Sequence, residues 1–164
     1  MLKTKAAQFI AKLNIIMANK SNAELALELG RLFSELKYKL RRQMLGKLTA
    51  SKEDISFELL EVMAFLWHQD GLNQQELANM AVKDKSSMTY LIGNLIKRQL
   101  VKRVEDKTDR RNKLIYLTAT GKSLQKKIQP LLIESYKRAT GHVKTSEIKS
   151  GILLLKTMNE NLKK

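Results

Sequence analysis

The stretch from residue 73 to residue 118 constrains the fold most, because two short helical patterns are followed there by two short strand patterns. Asn73 with Glu76 three residues later has the spacing of a capping box, so a helix is predicted to begin there. The residues that this helix is predicted to turn inward are Leu77, Met80 and Ala81.

A second helix is predicted to begin after Asp84, a plausible N-cap, and to run to about Gln99. Its apolar residues follow the i, i+3, i+4, i+7 spacing of one helix face, and they are Met88, Leu91, Ile92 and Leu95. The opposite face is polar and uncrowded, with Ser86, Thr89, Tyr90, Gly93 and Lys97. Such a helix, after a short helix and a tight turn, suits the major groove of DNA.

A hairpin is predicted next, because residues 100–104 and 113–117 are short runs rich in Val, Ile, Leu and Tyr. The connection between them, EDKTDRRN, is too polar to pack in a core. From Asp84 to Lys113 the chain has nine Lys or Arg and four Asp or Glu. A basic helix followed by a basic ribbon is typical of a winged helix–turn–helix that binds DNA.

Composition agrees with a polyanionic partner. The 164 residues predict one domain, and 31 Lys and Arg against 16 Asp and Glu give a net charge of +15. Such a charge favours nucleic acid, with an anionic membrane surface and a merely basic soluble protein as the alternatives. The chain has no cysteine, which excludes disulfides and thiol-based oxidant sensing.

The motifs in this stretch resemble the DNA-binding core of the MarR (multiple antibiotic resistance regulator) family. The matching pieces are Gly71-Leu72, residues 74–78, residues 84–89, residues 100–103, residues 106–111 and residues 117–121. The resemblance extends from about Leu29 to the C-terminus. It implies a mainly α fold, with a winged helix–turn–helix between N- and C-terminal dimerisation helices.

Helical patterns flank this core. Phe9, Leu13, Ile16 and Met17 share a face near the N-terminus, and leucines 25, 29, 32, 36 and 40 form a stripe on a long helix over residues 23–48. Ser56 is predicted to cap a helix over residues 57–68, and Thr118 a long helix that Pro130 should kink or end. A last helix is predicted from about Thr145, with an apolar stripe of Ile148, Ile152, Leu155, Met158 and Leu162.

These stripes predict a homodimer, since the small winged domain cannot cover them. We therefore expect residues 1–48 and 119–164 to dimerise and residues 49–118 to bind DNA. In the family that this chain resembles, an Arg of the wing enters the minor groove and the Asp two residues earlier holds it. That role falls on Arg111 and Asp109.

The candidate DNA-binding residues are Lys85, Ser86, Ser87, Thr89, Tyr90, Lys97, Asp109, Arg110 and Arg111. Tyr90 stands where the family often has Arg, the usual reader of guanine, so no operator sequence can be carried over. Tyr90 is interpreted as a contact to a thymine methyl or a phosphate, or as packing against the wing.

No catalytic residue, metal site or cofactor is predicted. The two histidines, His68 and His142, are far apart, and neither a GxSxG motif nor a Gly-rich phosphate loop is present. The resemblance implies an effector site for a small aromatic or lipophilic acid between the dimer helices and the winged domain. The candidate residues are Met44, Phe57, Met63 and Trp67, for which core packing is the stronger alternative.

The sequence thus favours a cytoplasmic, homodimeric transcriptional regulator that reads an inverted-repeat operator in double-stranded DNA. A repressor is the favoured role, with release by a small-molecule ligand left open. One alternative is a basic winged-helix protein of nucleoid type with little sequence choice. Another is an interaction module whose basic wing contacts a protein or membrane. No signal peptide or membrane span is expected.

Overall fold

In a computed structural model of the chain, the described residues are 17–51, 53–106 and 112–163. They fall into two compact units, one ending at Gln43 and one beginning at Met44. The amphipathic helix predicted at the N-terminus lies outside the described residues, apart from Met17.

The fold is mainly helical with a small antiparallel sheet, as the sequence predicted. The elements are α1 (Asn22–Ala50), α2 (Phe57–His68), β1 (Leu72–Asn73), α3 (Gln74–Ala81), α4 (Lys85–Lys97), β2 (Val101–Glu105), β3 (Lys113–Leu117), α5 (Ala119–Thr140) and α6 (Thr145–Asn161). Within the described ranges, none of these helices combines the length and the apolar character needed to cross a membrane.

In the first unit, the predicted leucine stripe of α1 is only partly covered. Leu25 and Leu29 are half-buried, whereas Leu32 and Leu36 are exposed. On this helix Arg31 pairs with Glu28 at 2.8 Å and with Glu35 at 3.4 Å, one turn to either side. Such i, i+3 and i, i+4 pairs support the helix locally and leave its apolar stripe available to a partner.

The core of the second unit lies where α2, α3 and α4 pack against the sheet and against the start of α5. Its fully buried side chains include Val62, Met63, Leu66, Leu77, Met88, Ile92, Leu95, Ile115 and Ile128. All four residues predicted for the inner face of α4 are in this core. The helix spacing therefore identified correctly the face of α4 that packs inward.

Four helices of this unit begin at the predicted N-caps. A side-chain oxygen of each cap accepts a hydrogen bond from the backbone N–H three residues later, at Ser56, Asn73, Asp84 and Thr118. At Asn73 the capping box is complete, because the Glu76 carboxylate also accepts from the Asn73 N–H at 2.7 Å. These bonds satisfy donors that a helix N-terminus leaves without a partner.

The sheet has the order β1-β3-β2, with both pairs antiparallel. In the wing, Val101 pairs with Leu117 and Glu105 with Lys113, so the hairpin closes towards residues 106–112. The sequence predicted β2 and β3 but not β1, whose two residues pair with Leu114 and Ile115. A strand of two residues has no alternation to detect, so only its partner defines it.

The turn before β1 is held by two hydrogen bonds with β3, one of which runs from the Gly71 N–H to the Ile115 carbonyl oxygen at 3.1 Å. Asp70 Oδ1 accepts a hydrogen bond from the Leu117 N–H at 2.9 Å. Gly71 has φ +80°, and a Cβ there would lie 2.7 Å from ring atoms of Tyr116. The position therefore requires glycine both for its backbone conformation and for the space that the tyrosine ring occupies.

Met80 differs from the sequence prediction, and of the two effects predicted for Pro130 one does not occur. Met80, predicted to face inward, is 42% exposed, because Leu77 and Ala78 are the residues of α3 that enter the core. Pro130, predicted to kink or end its helix, does not end it, and α5 continues to Thr140. The missing N–H of a proline removes one intrahelical bond, which the surrounding turns of this helix tolerate.

The turn of the helix–turn–helix contains a strained residue. Val82 ends α3 in the left-handed region, at φ 51° and ψ 49°, where a β-branched side chain is rare. Its side chain is 91% exposed, so it contributes little packing that would offset the strain.

We therefore expect Val82→Asn to raise the free energy of unfolding by about 1 kcal/mol, since Asn tolerates this conformation far better. Urea unfolding of the purified variant measures the change. Val82→Ala is the control and should gain less, because alanine keeps a Cβ and lacks the local hydrogen bonding of Asn. Equal stability of Val82→Asn and wild type would show that the turn carries no strain.

Candidate DNA-binding face

The outward face of α4 is set by the burial of its inner face. With Met88 and Ile92 wholly buried, the opposite side of the helix is turned to solvent. All six candidate residues predicted on this helix are exposed: Lys85, Ser86, Ser87, Thr89, Tyr90 and Lys97. Tyr90 is 71% exposed, which leaves its ring free to contact a partner and argues against packing on the wing.

The start of α4 is fixed by Asp84 and Ser87. Asp84 accepts from the Ser87 N–H at 2.8 Å and from the Ser87 hydroxyl at 2.6 Å. The Ser87 hydroxyl bond is the main reason why the pKa of Asp84 lies below its ordinary value. Ser87 therefore has its hydroxyl proton committed to the cap, and a contact with DNA would have to use its oxygen as an acceptor.

A second contact joins the two helices of the helix–turn–helix. Gln74, the first residue of α3, donates from Nε2 to the Thr89 hydroxyl oxygen at 2.6 Å. Thr89 in turn donates to the Lys85 carbonyl oxygen at 2.7 Å, one turn earlier on α4. The relative position of the two helices at their exposed ends is thus fixed by side chains as well as by the core.

A cleft of about 480 Å³ lies between these helix ends and the wing. Three cationic residues line it, Lys85 from α4, Arg103 from β2 and Lys113 from β3, together with Gln74 and Thr89. Cationic and amide side chains that lie together beside an exposed helix of this kind can bind phosphate oxygens of a nucleic-acid backbone.

Gln74, Arg103 and Lys113 were not among the residues predicted from the sequence. Arg103 and Lys113 counted towards the basic charge of the stretch, but their proximity to Thr89 depends on strand pairing. Gln74 directly follows an N-cap, and that placement at an exposed helix end was the one local signal available.

The predicted tip of the wing, with Asp109, Arg110 and Arg111, lies outside the described residues. The described part of the hairpin ends with a hydrogen bond of 3.0 Å from the Asp106 N–H to the Asn112 carbonyl oxygen. The roles of the three tip residues therefore stay predictions.

The candidate effector residues lie in or against the core of the second unit. Met44 and Met63 are buried, whereas Phe57 and Trp67 are half-buried and pack against the core. The Trp67 indole N–H is buried and has no hydrogen-bond partner within the described part of the chain. No group of three or more acidic, histidine or cysteine side chains that could hold a metal occurs among the described residues.

Gly93 lies on the outward face of α4, one turn beyond Thr89, and a Cβ added there would meet no atom within 4 Å. We expect Gly93→Ala to raise the free energy of unfolding by about 1 kcal/mol, the usual gain from alanine in a helix interior. The same methyl should weaken DNA binding if DNA approaches this face closely.

Both effects of Gly93→Ala can be followed on one protein sample, by urea unfolding and by DNA titration. Gly46→Ala is the matched control, because Gly46 on α1 also has no neighbour within 4 Å of the added Cβ. It should gain stability and leave DNA affinity unchanged. Unchanged affinity in Gly93→Ala would place the DNA away from this face.

Two short helices joined by a tight turn, followed by an antiparallel hairpin, define a winged helix–turn–helix. The sequence model of the MarR family matches residues 55–113, which are α2 through the start of β3. The chain therefore carries a MarR-type winged helix–turn–helix, and the resemblance inferred from its motifs is confirmed. No curated protein sequence matches the chain.

Solved structures of MarR-family regulators share the fold. A family member from Silicibacter pomeroyi DSS has a TM-score of 0.75 at 21% identity, covering 87% of this chain and 95% of that one. Wild-type apo MarR from E. coli gives 0.64 at 23%, covering 79% and 96%. CouR from Rhodococcus jostii RHA1, bound to p-coumaroyl-CoA, gives 0.69 at 24%, covering 82% and 93%.

Proposed function

We propose that this protein is a homodimeric transcriptional regulator that binds an inverted-repeat operator in double-stranded DNA, as a repressor in the favoured case. The observation that carries the proposal is the outward face of α4, polar and exposed, beside a cleft lined by Lys85, Arg103 and Lys113. The MarR family match over this segment supports the same function.

A two-fold dimer should read two half-sites. We propose that residues 49–118 of each protomer contact one half-site and that residues 1–48 and 119–164 join the protomers. The half-site centres should then lie about one helical turn, roughly 10 bp, apart.

The test is selection from a random DNA library, followed by titration of the selected site and of a scrambled duplex at several salt concentrations. A preferred inverted repeat supports the regulator. Uniform binding of both duplexes would instead indicate a nucleoid-type protein, and absence of binding an interaction module. The variant Lys85→Ala should lose affinity for both duplexes if the cleft binds phosphate.

The wing is proposed to add a minor-groove contact through Arg111, held by Asp109, as the resemblance implies. We expect Arg111→Ala to weaken operator binding and to lower the magnitude of the salt slope by about one, the value for one lost counterion-release contact. Its sequence preference should change mainly at A·T-rich flanks, where narrow minor grooves attract Arg.

Titrations of wild type and Arg111→Ala over a salt series measure this effect. Arg110→Ala is the matched control, since it removes the same charge from the neighbouring position in the sequence. If the two variants behave alike, the wing contributes only general charge. If neither changes affinity or slope, the wing does not contact DNA.

Release by a small aromatic or lipophilic acid is proposed as the regulation of this DNA binding. CouR, which has the same fold, has been solved bound to p-coumaroyl-CoA. Phe57 and Trp67 are better placed for such a ligand than Met44 and Met63, because a ligand would reach the two buried methionines only by opening the core. A ligand that moves the half-buried Trp67 side chain would also expose its buried indole N–H, which could then donate to an acceptor on the ligand.

Trp67 is the one tryptophan of the chain, so its fluorescence reports directly on this proposal. Titration with aromatic carboxylates should quench the emission and release operator DNA over the same concentration range. Release of DNA without any change in Trp67 emission would place the effector elsewhere.

A further inference from the structure

The hydroxyl group of Thr89 is occupied on two sides. It donates its single proton to the Lys85 carbonyl oxygen at 2.7 Å and accepts from Gln74 Nε2 at 2.6 Å. Gln74 belongs to α3 and Thr89 to α4, so the second bond crosses from one helix of the motif to the other.

This arrangement limits what Thr89 can offer to a base. With its proton committed to a backbone carbonyl, the hydroxyl cannot also donate to guanine O6 or N7, adenine N7 or thymine O4. The γ-methyl group leaves Cβ in a different direction from the hydroxyl and makes no hydrogen bond. Because Thr89 is exposed on the outward face of α4, the methyl is the part suited to an apolar contact in the major groove.

We propose that Gln74 is a positioning residue that holds Thr89 so that its methyl group reads the C5-methyl of a thymine. The proposal rests on the proposed function and adds to it a residue that sets specificity and the base that it selects. Gln74 acts through Thr89, and the contact with the base is made by Thr89 alone.

A purely structural clasp between α3 and α4 is the competing explanation for the Gln74–Thr89 bond. Both side chains are at the surface, where a hydrogen bond exchanges readily with water and adds little to folding stability. Loss of a purely structural clasp would therefore lower the folding stability slightly. It would change the affinity for all DNA sequences by the same factor. A positioning residue should change the discrimination between thymine and a base without its methyl group.

The experiment replaces each thymine of the selected operator by uracil, which removes only the C5-methyl. For wild type we expect one position in each half-site at which the change from thymine to uracil lowers affinity about fourfold. This is the factor expected when one buried methyl group is lost. Thr89→Val, which keeps a γ-methyl but removes the hydroxyl that Gln74 bonds, should show a smaller loss than wild type, because its methyl is no longer positioned. Thr89→Ser, which keeps the hydroxyl and removes the methyl, should bind the thymine and uracil operators equally.

Gln74→Met then tests the positioning role with a side chain of similar length that cannot donate. It should reduce the thymine-over-uracil ratio at the Thr89 position and leave the melting temperature nearly unchanged. Gln75→Met is the matched control, because the Gln75 amide donates to Asn79 Oδ1 at 2.9 Å within α3 and does not bond Thr89. Its thymine-over-uracil ratio should equal that of wild type.

The outcomes separate this inference from the proposed function. If wild type selects no operator at all, both fail. If wild type selects an operator but shows no uracil effect at any thymine, or if Thr89→Ser keeps that effect, the Thr89 methyl does not read a thymine and the inference is overturned. An unchanged ratio in Gln74→Met would overturn the positioning role of Gln74.

Discussion

Gly121→Ala is expected to lower the free energy of unfolding by roughly 2 kcal/mol or more, within the range for overpacking against a rigid neighbour. A Cβ at Gly121 would lie 2.1 Å from the Leu100 carbonyl oxygen and 3.3 Å from Leu117 Cδ2. The first of these atoms belongs to the backbone and cannot rotate away.

The Leu100 carbonyl is also fixed in place by the junction between β3 and α5. It accepts from the Thr118 N–H at 3.1 Å, and the Thr118 hydroxyl donates mainly to the neighbouring Gln99 carbonyl oxygen at 2.5 Å. The same Thr118 oxygen accepts from the Gly121 N–H at 3.0 Å, which caps α5. Moving Gly121 away from the carbonyl would therefore strain both the cap and the link to the end of the helix–turn–helix.

Urea unfolding of Gly121→Ala and Gly93→Ala provides a paired measurement. Both variants place alanine in a helix, but only Gly121 has an atom close to the new methyl, so the two should change stability in opposite directions. A stabilised Gly121→Ala would show that the contact between α5 and the strand junction is looser than the structure has it.

Much of this fold could be predicted from the sequence because its signals are local. Asn73 and Asp84 cap their helices through oxygens that bond an N–H only three residues away, so spacing alone reveals them. The inner face of α4 follows from the helix repeat in the same way. Because the start of α4 and its buried face were both predicted correctly, the residues assigned to its outer face are all exposed, and their contacts with DNA stay predictions.

The features that the sequence did not reveal depend on contacts between distant residues. Strand β1 exists because Leu72 pairs with Ile115, and Met80 is exposed because the core accepts Ala78 in its place. The cleft is another example, since strand pairing and the helix turn together bring Gln74, Arg103 and Thr89 to one surface. Charge counting found this basic region but could not say which cations share a surface.

The second large effect is expected from Leu155→Arg, which should raise the dissociation constant of the proposed dimer by roughly a hundredfold or more. Helix α6 has no buried residue in the single chain. Of its predicted apolar stripe, Ile148, Ile152 and Leu155 are exposed in the single chain. If a second copy covers this surface, an arginine there would be an unpaired charge in an apolar interface, which is among the costliest changes to an interface.

Light scattering over a range of protein concentrations measures the dimer population, and circular dichroism shows whether the variant is folded. Thr157→Arg is the matched control. Two residues further along α6, it lies about 200° around the helix from Leu155 and should leave the dimer intact. The interface is supported if Leu155→Arg is monomeric or unfolded while Thr157→Arg remains dimeric. Unfolding counts as support because a protomer that buries its apolar surface only against a partner need not fold alone. If Leu155→Arg stays folded and dimeric, this face of α6 is not the dimer interface, and another surface must join the protomers.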